Sequence, residues 1–235
     1  MNKAPTNNRR DFLKKTAVLT GTLGMAGSSA FALSGTQSVS SNPLPRWKGF
    51  NLLDFFSPNP DWVGGDTQED DFKWMVDWGF DFVRLPMAYP FYLDFDRSRD
   101  ITPDEVYKLS EEALERVDQV VYLAHKYKLH VSINLHRAPG YCINAGFHEP
   151  YNLWMDAEAQ EAFFWHWNMW AKRYKHLSRE QISFDLLNEP AMIDDMNNQH
   201  AAKTKVPGDL YAKVAEGAAK AIWKENPDHL VVADG

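Results

Sequence analysis

An amide and a carboxylic acid follow directly after a short apolar run in the second half of the chain. Residues 182–187, Ile-Ser-Phe-Asp-Leu-Leu, are typical of a buried parallel strand. Asn188 and Glu189 come next, and Pro190 has no N–H to donate to a strand ladder, so pairing should end there. In this position the acid could transfer a proton while the amide binds a substrate hydroxyl. For this segment alone, an acid that caps the next helix is the alternative.

Polar side chains also lie at the ends of two earlier apolar runs. Arg84 lies near the end of residues 80–85, and His136 follows residues 130–135. The carboxyl ends of parallel strands meet at one edge, so a cation, an imidazole, an amide and a carboxylate should converge there. Taken singly, Arg84 could be a buried ion-pair partner and His136 a core or loop residue. The ordered set favours a functional site.

Strand and helix patterns alternate along the chain from residue 47. Repeated βα units predict a parallel sheet with right-handed crossovers, and both a doubly wound sheet and a barrel fit this pattern. We interpret the aromatic face of the third helix as core against the sheet; its members are Phe163, Trp167, Trp170 and Tyr174. The predicted strands are 47–53, 80–85, 130–135, 182–187 and 229–233, and the predicted helices are 69–78, 103–127, 156–176 and 210–224.

The order and spacing of these polar residues over 46–235 resemble glycoside hydrolase family 5, the cellulase-type retaining glycosidases. The residues that carry the resemblance are Arg84-Leu85-Pro86, His136 and Asn188-Glu189-Pro190. The resemblance implies an α/β fold, the (β/α)8 TIM barrel, here truncated after about strand 5. It also implies catalytic and binding roles: Glu189 as general acid/base, Arg84 orienting the nucleophile, Asn188 on the sugar 2-hydroxyl, and His136 lining the subsite of bond cleavage.

The family's second carboxylate, a Glu after strand seven, is missing from this sequence, which ends near the close of the predicted fifth strand. Asp234 stands at that strand end, and we interpret it as a turn residue. We therefore expect the chain alone to be inactive. Trp154 and Tyr141, in the long loop after the third strand, are further candidates for substrate binding because aromatic rings stack on sugars.

Composition narrows the remaining possibilities. The net charge is -7 with no basic cluster beyond the N-terminus, which argues against nucleic acid and anionic membranes as partners. Cys142 is the only cysteine, which excludes an intrachain disulfide and a cysteine-based zinc site. His148-Glu149 has no second histidine at ligand spacing, so we expect no metal and no cofactor.

The N-terminal sequence predicts an export signal. Residues 8–15, Asn-Arg-Arg-Asp-Phe-Leu-Lys-Lys, resemble the twin-arginine motif, and Ala30-Phe31-Ala32 fits a small-x-small cleavage site. We predict a twin-arginine signal peptide over 1–32, a linker over 33–45 and a partial barrel over 46–235. The twin-arginine export machinery would then be a partner, no membrane contact would remain after cleavage, and the destination would be the bacterial periplasm or exterior.

Three functions remain open at this point. The leading hypothesis is retaining hydrolysis of a β-linked polysaccharide or oligosaccharide, such as a β-glucan or β-mannan. The second is a non-catalytic carbohydrate-binding remnant that keeps the polar edge but not the chemistry. The third is an unrelated metal-assisted hydrolase on the same barrel.

Overall fold

The computed structural model describes residues 44–61, 65–143, 147–198 and 200–234. The predicted signal peptide over 1–32 and nearly all of the linker over 33–45 lie outside these residues, so both stay predictions. Within the described ranges, no helix combines the length and apolar character needed to cross a bilayer.

Five parallel strands form a single sheet in the order in which they occur along the chain. Because the order is sequential, right-handed crossovers place every connecting helix on the same face, as in a barrel. A doubly wound sheet would instead reverse its strand order part-way. The predicted α/β barrel class is thereby confirmed. The strands are β1 (Gly49–Asn51), β2 (Phe82–Ala88), β3 (His130–Arg137), β4 (Ile182–Asp185) and β5 (Leu230–Val232).

Four α-helices lie between the strands: α1 (Glu69–Asp77), α2 (Glu111–Lys126), α3 (Ala157–Arg173) and α4 (Gly208–Trp223). The prediction of one helix over 103–127 is wrong in its first part. Pro103–Tyr107 is a separate 3-10 helix, which begins with a capping box in which the Thr102 amide donates to Glu105 Oε2 at 3.1 Å. Helix α2 begins separately after it, because the Ser110 hydroxyl caps α2 by accepting from the Ala113 amide at 3.3 Å.

Strand lengths also differ from the predictions. β2 runs on to Ala88 and β3 to Arg137, whereas β1 and β4 are shorter than their apolar runs. Pro86 lies inside β2, opposite Asn134, and the register shifts just beyond it between Pro86 and Ala88. The bonds of Arg84 and Ala88 to residues 52 and 55 show that position 86 faces the side of β1. Because β1 pairs only as far as Arg84, the missing N–H of Pro86 breaks no ladder bond.

One face of the sheet is apolar and packs on helices. It presents fully buried residues at every second position: Val83, Leu85, Val131, Ile133, Ile182 and Phe184. Trp167 of α3 meets Phe184 edge-on, with ring centroids 5.8 Å apart. The four aromatic residues of the third helix face are all buried, which confirms their prediction as core.

The opposite face of the same strands is polar although most of it is also buried. Alternation places Arg84, Ser132, Asn134, Ser183 and Asp185 there. The register pairs Arg84 with Ser132, and Asn134 with Asp185, so these residues form adjacent rows. The side chains with chemistry therefore lie on the face away from the helices, at its carboxyl end.

Candidate active site

Arg84 of β2 joins the ends of two strands through its guanidinium. Its Nε donates to Asp185 Oδ2 of β4 at 2.7 Å, and its Nη2 donates to Asn188 Oδ1 at 3.0 Å. The Arg84 and Asp185 side chains are only 18% and 8% exposed. Burial raises the pKa of Asp185, and the charge of Arg84 opposes that rise. The fork geometry of arginine thus fixes the amide of Asn188 against a buried carboxylate.

Glu189 has a left-handed backbone, with φ 47°, an unusual conformation for a residue with a side chain. Its amide donates to Asp234 Oδ2 at 3.2 Å, and its carbonyl accepts from the Tyr141 hydroxyl at 2.9 Å. The residue itself is exposed. A left-handed non-glycine residue costs on the order of 1–2 kcal/mol and persists only where neighbours hold it. The carboxylate is therefore presented to solvent on an anchored backbone.

Tyr141 lies across the turn that carries Glu189. Besides its bond to the Glu189 carbonyl, its hydroxyl accepts from the Ala191 amide at 3.0 Å. Its ring packs against Trp154, with centroids 6.0 Å apart and planes at 76°. Tyr141 and Trp154 are only 6% and 4% exposed. Their binding of substrate stays a prediction, and the observed contacts of both residues are to the protein's own backbone and rings.

His136 lies at the end of β3 beside the ring of Phe56, at 4.9 Å between centroids. Burial lowers its pKa to about 4, and the charges of Arg137 and Arg84 add to this effect. The imidazole is therefore neutral at physiological pH, with one nitrogen donating and one accepting. Its Nδ1 is buried and has no hydrogen-bond partner among the described residues.

The structure thus places Arg84 in direct contact with Asn188, and His136 within electrostatic range of Arg84. Sequence reasoning missed Asp185 as the partner of Arg84, although Arg84 was considered as an ion-pair residue. The signal was present in β4, where Ser183 and Asp185 alternate with apolar residues. Asp234, interpreted as a turn residue, also bonds the Glu189 backbone.

In the described part of the chain, no three potential ligands among His, Cys, Asp and Glu are grouped to hold a metal.

These features define a class: a parallel βα barrel protein whose polar residues collect at the carboxyl ends of consecutive strands, where barrel enzymes keep their chemistry. The model for the cellulase family, glycosyl hydrolase family 5, matches residues 36–235, and the chain belongs to this family. The match begins inside the predicted linker, so the boundary at residue 46 stays a prediction.

Curated relatives support the same assignment. The chain is 36% identical over 146 residues to cellodextrinase A of Ruminococcus flavefaciens, covering 60% of this chain and 40% of that protein. It is 35% identical over 121 residues to endoglucanase C of Acetivibrio thermocellus, covering 52% of this chain and 32% of that protein. The chain therefore spans well under half the length of these relatives.

Solved structures share the fold. A glycoside hydrolase crystal structure superposes with a TM-score of 0.67 at 30% identity, over 80% of this chain and 52% of the other. An endoglucanase from Thermotoga maritima superposes with a TM-score of 0.55 at 24% identity, over 79% of this chain and 50% of the other. The second likeness concerns the fold alone.

Proposed function

We propose that this chain carries the acid/base half of a retaining glycosidase site that hydrolyses O-glycosidic bonds in a β-linked polysaccharide or oligosaccharide. The observation that carries the proposal is the position of Glu189. It follows β4 on the sheet's carboxyl edge, exposed, with its amide and carbonyl both anchored. Asn188 beside it is fixed by Arg84. Together these residues supply a proton donor and an amide at one edge, as the resemblance implies.

The chemistry assigns one task to each group. Cleavage passes through an oxocarbenium-like state, in which Glu189 protonates the departing glycosidic oxygen while a second carboxylate attacks the anomeric carbon. Glu189 then removes a proton from water, and that water releases the sugar from the enzyme. We assign the attacking carboxylate to a glutamate after strand seven, which the family places beyond the five strands described for this chain.

The neighbours of Glu189 bind and orient the sugar. Asn188 Oδ1 accepts one hydrogen bond from Arg84, and Nδ2 would donate to a sugar 2-hydroxyl. The neutral imidazole of His136 adds a hydrogen bond without adding charge to the site. Arg84 already neutralises Asp185. To orient the attacking carboxylate as well, its guanidinium must bind both acids at once.

Names of similar proteins support a β-glucan or β-mannan as substrate. One relative is named a cellodextrinase and another an endoglucanase. The Thermotoga maritima protein was crystallised with cellobiose and with mannotriose. We propose these glycan classes for this chain, with a non-catalytic carbohydrate-binding role as the alternative that the following assay separates.

The assay measures hydrolysis of β-glucan and β-mannan by the full-length gene product. Glu189→Gln should lower turnover by about 10²–10⁴-fold, because the amide cannot donate the proton. Glu216→Gln, at an exposed position on α4, is the matched control and should retain turnover. Binding of oligosaccharide without hydrolysis by the unmodified protein would favour the carbohydrate-binding alternative. Turnover by a fragment of residues 33–235, lost on Glu189→Gln, would contradict our assignment of the attacking carboxylate.

Export is the second part of the proposal. Arg9 and Arg10 precede an apolar stretch and a small-residue cleavage site. A double substitution of these arginines by lysine should leave uncleaved protein in the cytoplasm of the producing bacterium. Cleaved protein in the periplasm or medium, despite that substitution, would contradict twin-arginine export.

A further inference from the structure

The hydroxyl of Tyr141 makes two bonds to the turn that carries the proposed acid/base residue. It donates to the Glu189 carbonyl at 2.9 Å and accepts from the Ala191 amide at 3.0 Å. Pro190 lies between them and has no N–H, so it cannot donate a backbone hydrogen bond. A hydroxyl is suited to this place because it can donate and accept at the same time. The phenol therefore closes the turn in which Glu189 adopts φ 47°.

Tyr141 is itself held by a tight turn and a buried carboxyl. Its amide donates to the Ala138 carbonyl at 2.8 Å. Gly140, at φ 72°, donates its amide to Glu149 Oε2 at 3.0 Å, and the Tyr89 hydroxyl donates to the same oxygen at 2.9 Å. A Cβ at Gly140 would come within 2.5 Å of the Leu153 amide nitrogen, so glycine is required there.

A second brace joins the same two loops. Asn197, in the loop after β4, accepts the Glu149 amide at 2.7 Å through Oδ1. Its Nδ2 donates to the Glu149 carbonyl at 3.2 Å. Glu149 is only 5% exposed, and burial of a carboxyl group is costly unless hydrogen bonds compensate it, as the two bonds to Oε2 do in part. Its backbone and side chain thus connect the loop of Tyr141 to the loop of Glu189.

We propose that Tyr141 and Glu149 are positioning residues: the phenol hydroxyl fixes the backbone of Glu189, and the buried carboxyl fixes the turn that presents the phenol. This inference rests on the proposed acid/base role of Glu189. It changes the role of Tyr141 from the one predicted from the sequence, where the ring was a candidate for substrate binding. Neither residue touches the substrate in this account, and both act through the geometry of Glu189.

The first test removes only the hydroxyl, with Tyr141→Phe in the full-length gene product. Amide hydrogen exchange at Ala191 should become about tenfold faster, because its acceptor is lost. The kcat for a cello-oligosaccharide should fall about tenfold with KM unchanged, because proton transfer is misaligned while sugar contacts remain. Tyr151→Phe is the matched control, since the Tyr151 hydroxyl is buried without a partner among the described residues. It should leave exchange and kcat unchanged.

The second test uses conservative rescue at Glu149. Glu149→Gln keeps an oxygen that can accept from Gly140 and Tyr89, so exchange at Ala191 and kcat should stay near those of the unmodified protein. Glu149→Ala removes that oxygen and should reproduce the effect of Tyr141→Phe. If Glu149→Ala fails to fold, Tyr141→Phe against Tyr151→Phe still decides the inference.

Three results would overturn the inference: unchanged exchange at Ala191 in Tyr141→Phe, faster exchange with no fall in kcat, or a rise in KM that accounts for the whole loss. The last would restore a substrate-binding role for Tyr141. Failure of the proposed function is distinguishable, because it appears as absent turnover in the unmodified protein or as full turnover in Glu189→Gln. In that case the exchange measurement alone decides whether Tyr141 holds the turn.

Discussion

Glu149→Gln should change how the stability of the protein depends on pH. Burial raises the pKa of the Glu149 carboxyl from 4.5 to about 8, and bonds from Gly140 and Tyr89 offset only part of this effect. The folded protein therefore keeps a proton on Glu149 up to about pH 8, whereas the unfolded chain releases it near 4.5. The free energy of unfolding that Glu149 contributes below pH 4.5 is therefore lost as the pH rises from 4.5 to about 8. Glutamine carries no proton to lose.

The size of the effect follows from the width of the window. At about 1.4 kcal/mol for each pH unit, the interval from 4.5 to about 8 corresponds to at most about 5 kcal/mol in the free energy of unfolding. The side chains that interact with the Glu149 carboxyl keep one charge state across this interval. Burial raises the pKa values of Tyr89, Cys142 and Tyr151, so all three stay neutral, and Arg137 stays charged.

Urea unfolding at about pH 5, about pH 7 and about pH 9 would measure this difference. The free energy of unfolding of Glu149→Gln, minus that of the unmodified protein, should grow with pH up to about 8 and then level off. Trp78→Ala, at a 69% exposed position with no ionisable group, should show a constant difference. Parallel curves for Glu149→Gln and the unmodified protein would refute the reasoning, because they would show no proton uptake by Glu149 on folding.

Three further experiments test the rest of the account. Trp167→Ala, at a fully buried position, should lower the free energy of unfolding by about 3–5 kcal/mol in urea, whereas Trp78→Ala, 69% exposed, should change it by less than about 0.5 kcal/mol. Arg84→Met should cost about 3–5 kcal/mol because it leaves the Asp185 carboxylate buried without its partner. The double variant with Asp185→Leu should regain much of the lost free energy of unfolding. If it does not, the loss in Arg84→Met does not come from the unpaired Asp185 carboxylate. His136→Gln should lower kcat/KM without moving the pH profile between about 5 and about 8, because burial holds the pKa of His136 at about 4; a shifted profile would mean that His136 titrates there.

Much of the fold could be predicted from the sequence because apolar runs and helical spacing are local signals. The alternation of strands and helices predicts the five strands and four α-helices found in the described residues, and the sequential strand order of the structure then distinguishes a barrel from a doubly wound sheet. The helix over 103–127 was mispredicted because Pro103 and the acids after it suit both a 3-10 turn and a helix start. Ser110 decides between them by capping a new helix.

The site was only partly predictable, because its contacts join residues far apart in the chain. Polar residues at strand ends could be assigned to one edge from topology alone. The pairing of Arg84 with Asp185 depends on the polar face of the sheet, which period-two alternation in β3 and β4 indicates but apolar-run reasoning overlooks. The bond from Tyr141 to Glu189 spans 48 positions and depends on the path of a long loop, which no local pattern specifies.

The central claim is that Glu189 donates a proton to the departing oxygen, and leaving-group dependence tests it most directly. Aryl β-cellobiosides with good and poor leaving groups would be compared in the full-length gene product and in Glu189→Gln. Bond cleavage should be slowed about 10²–10⁴-fold for a poor leaving group and far less for dinitrophenol, which departs without protonation. Equal turnover of natural β-glucan by both proteins, with no leaving-group difference between them, would contradict the account.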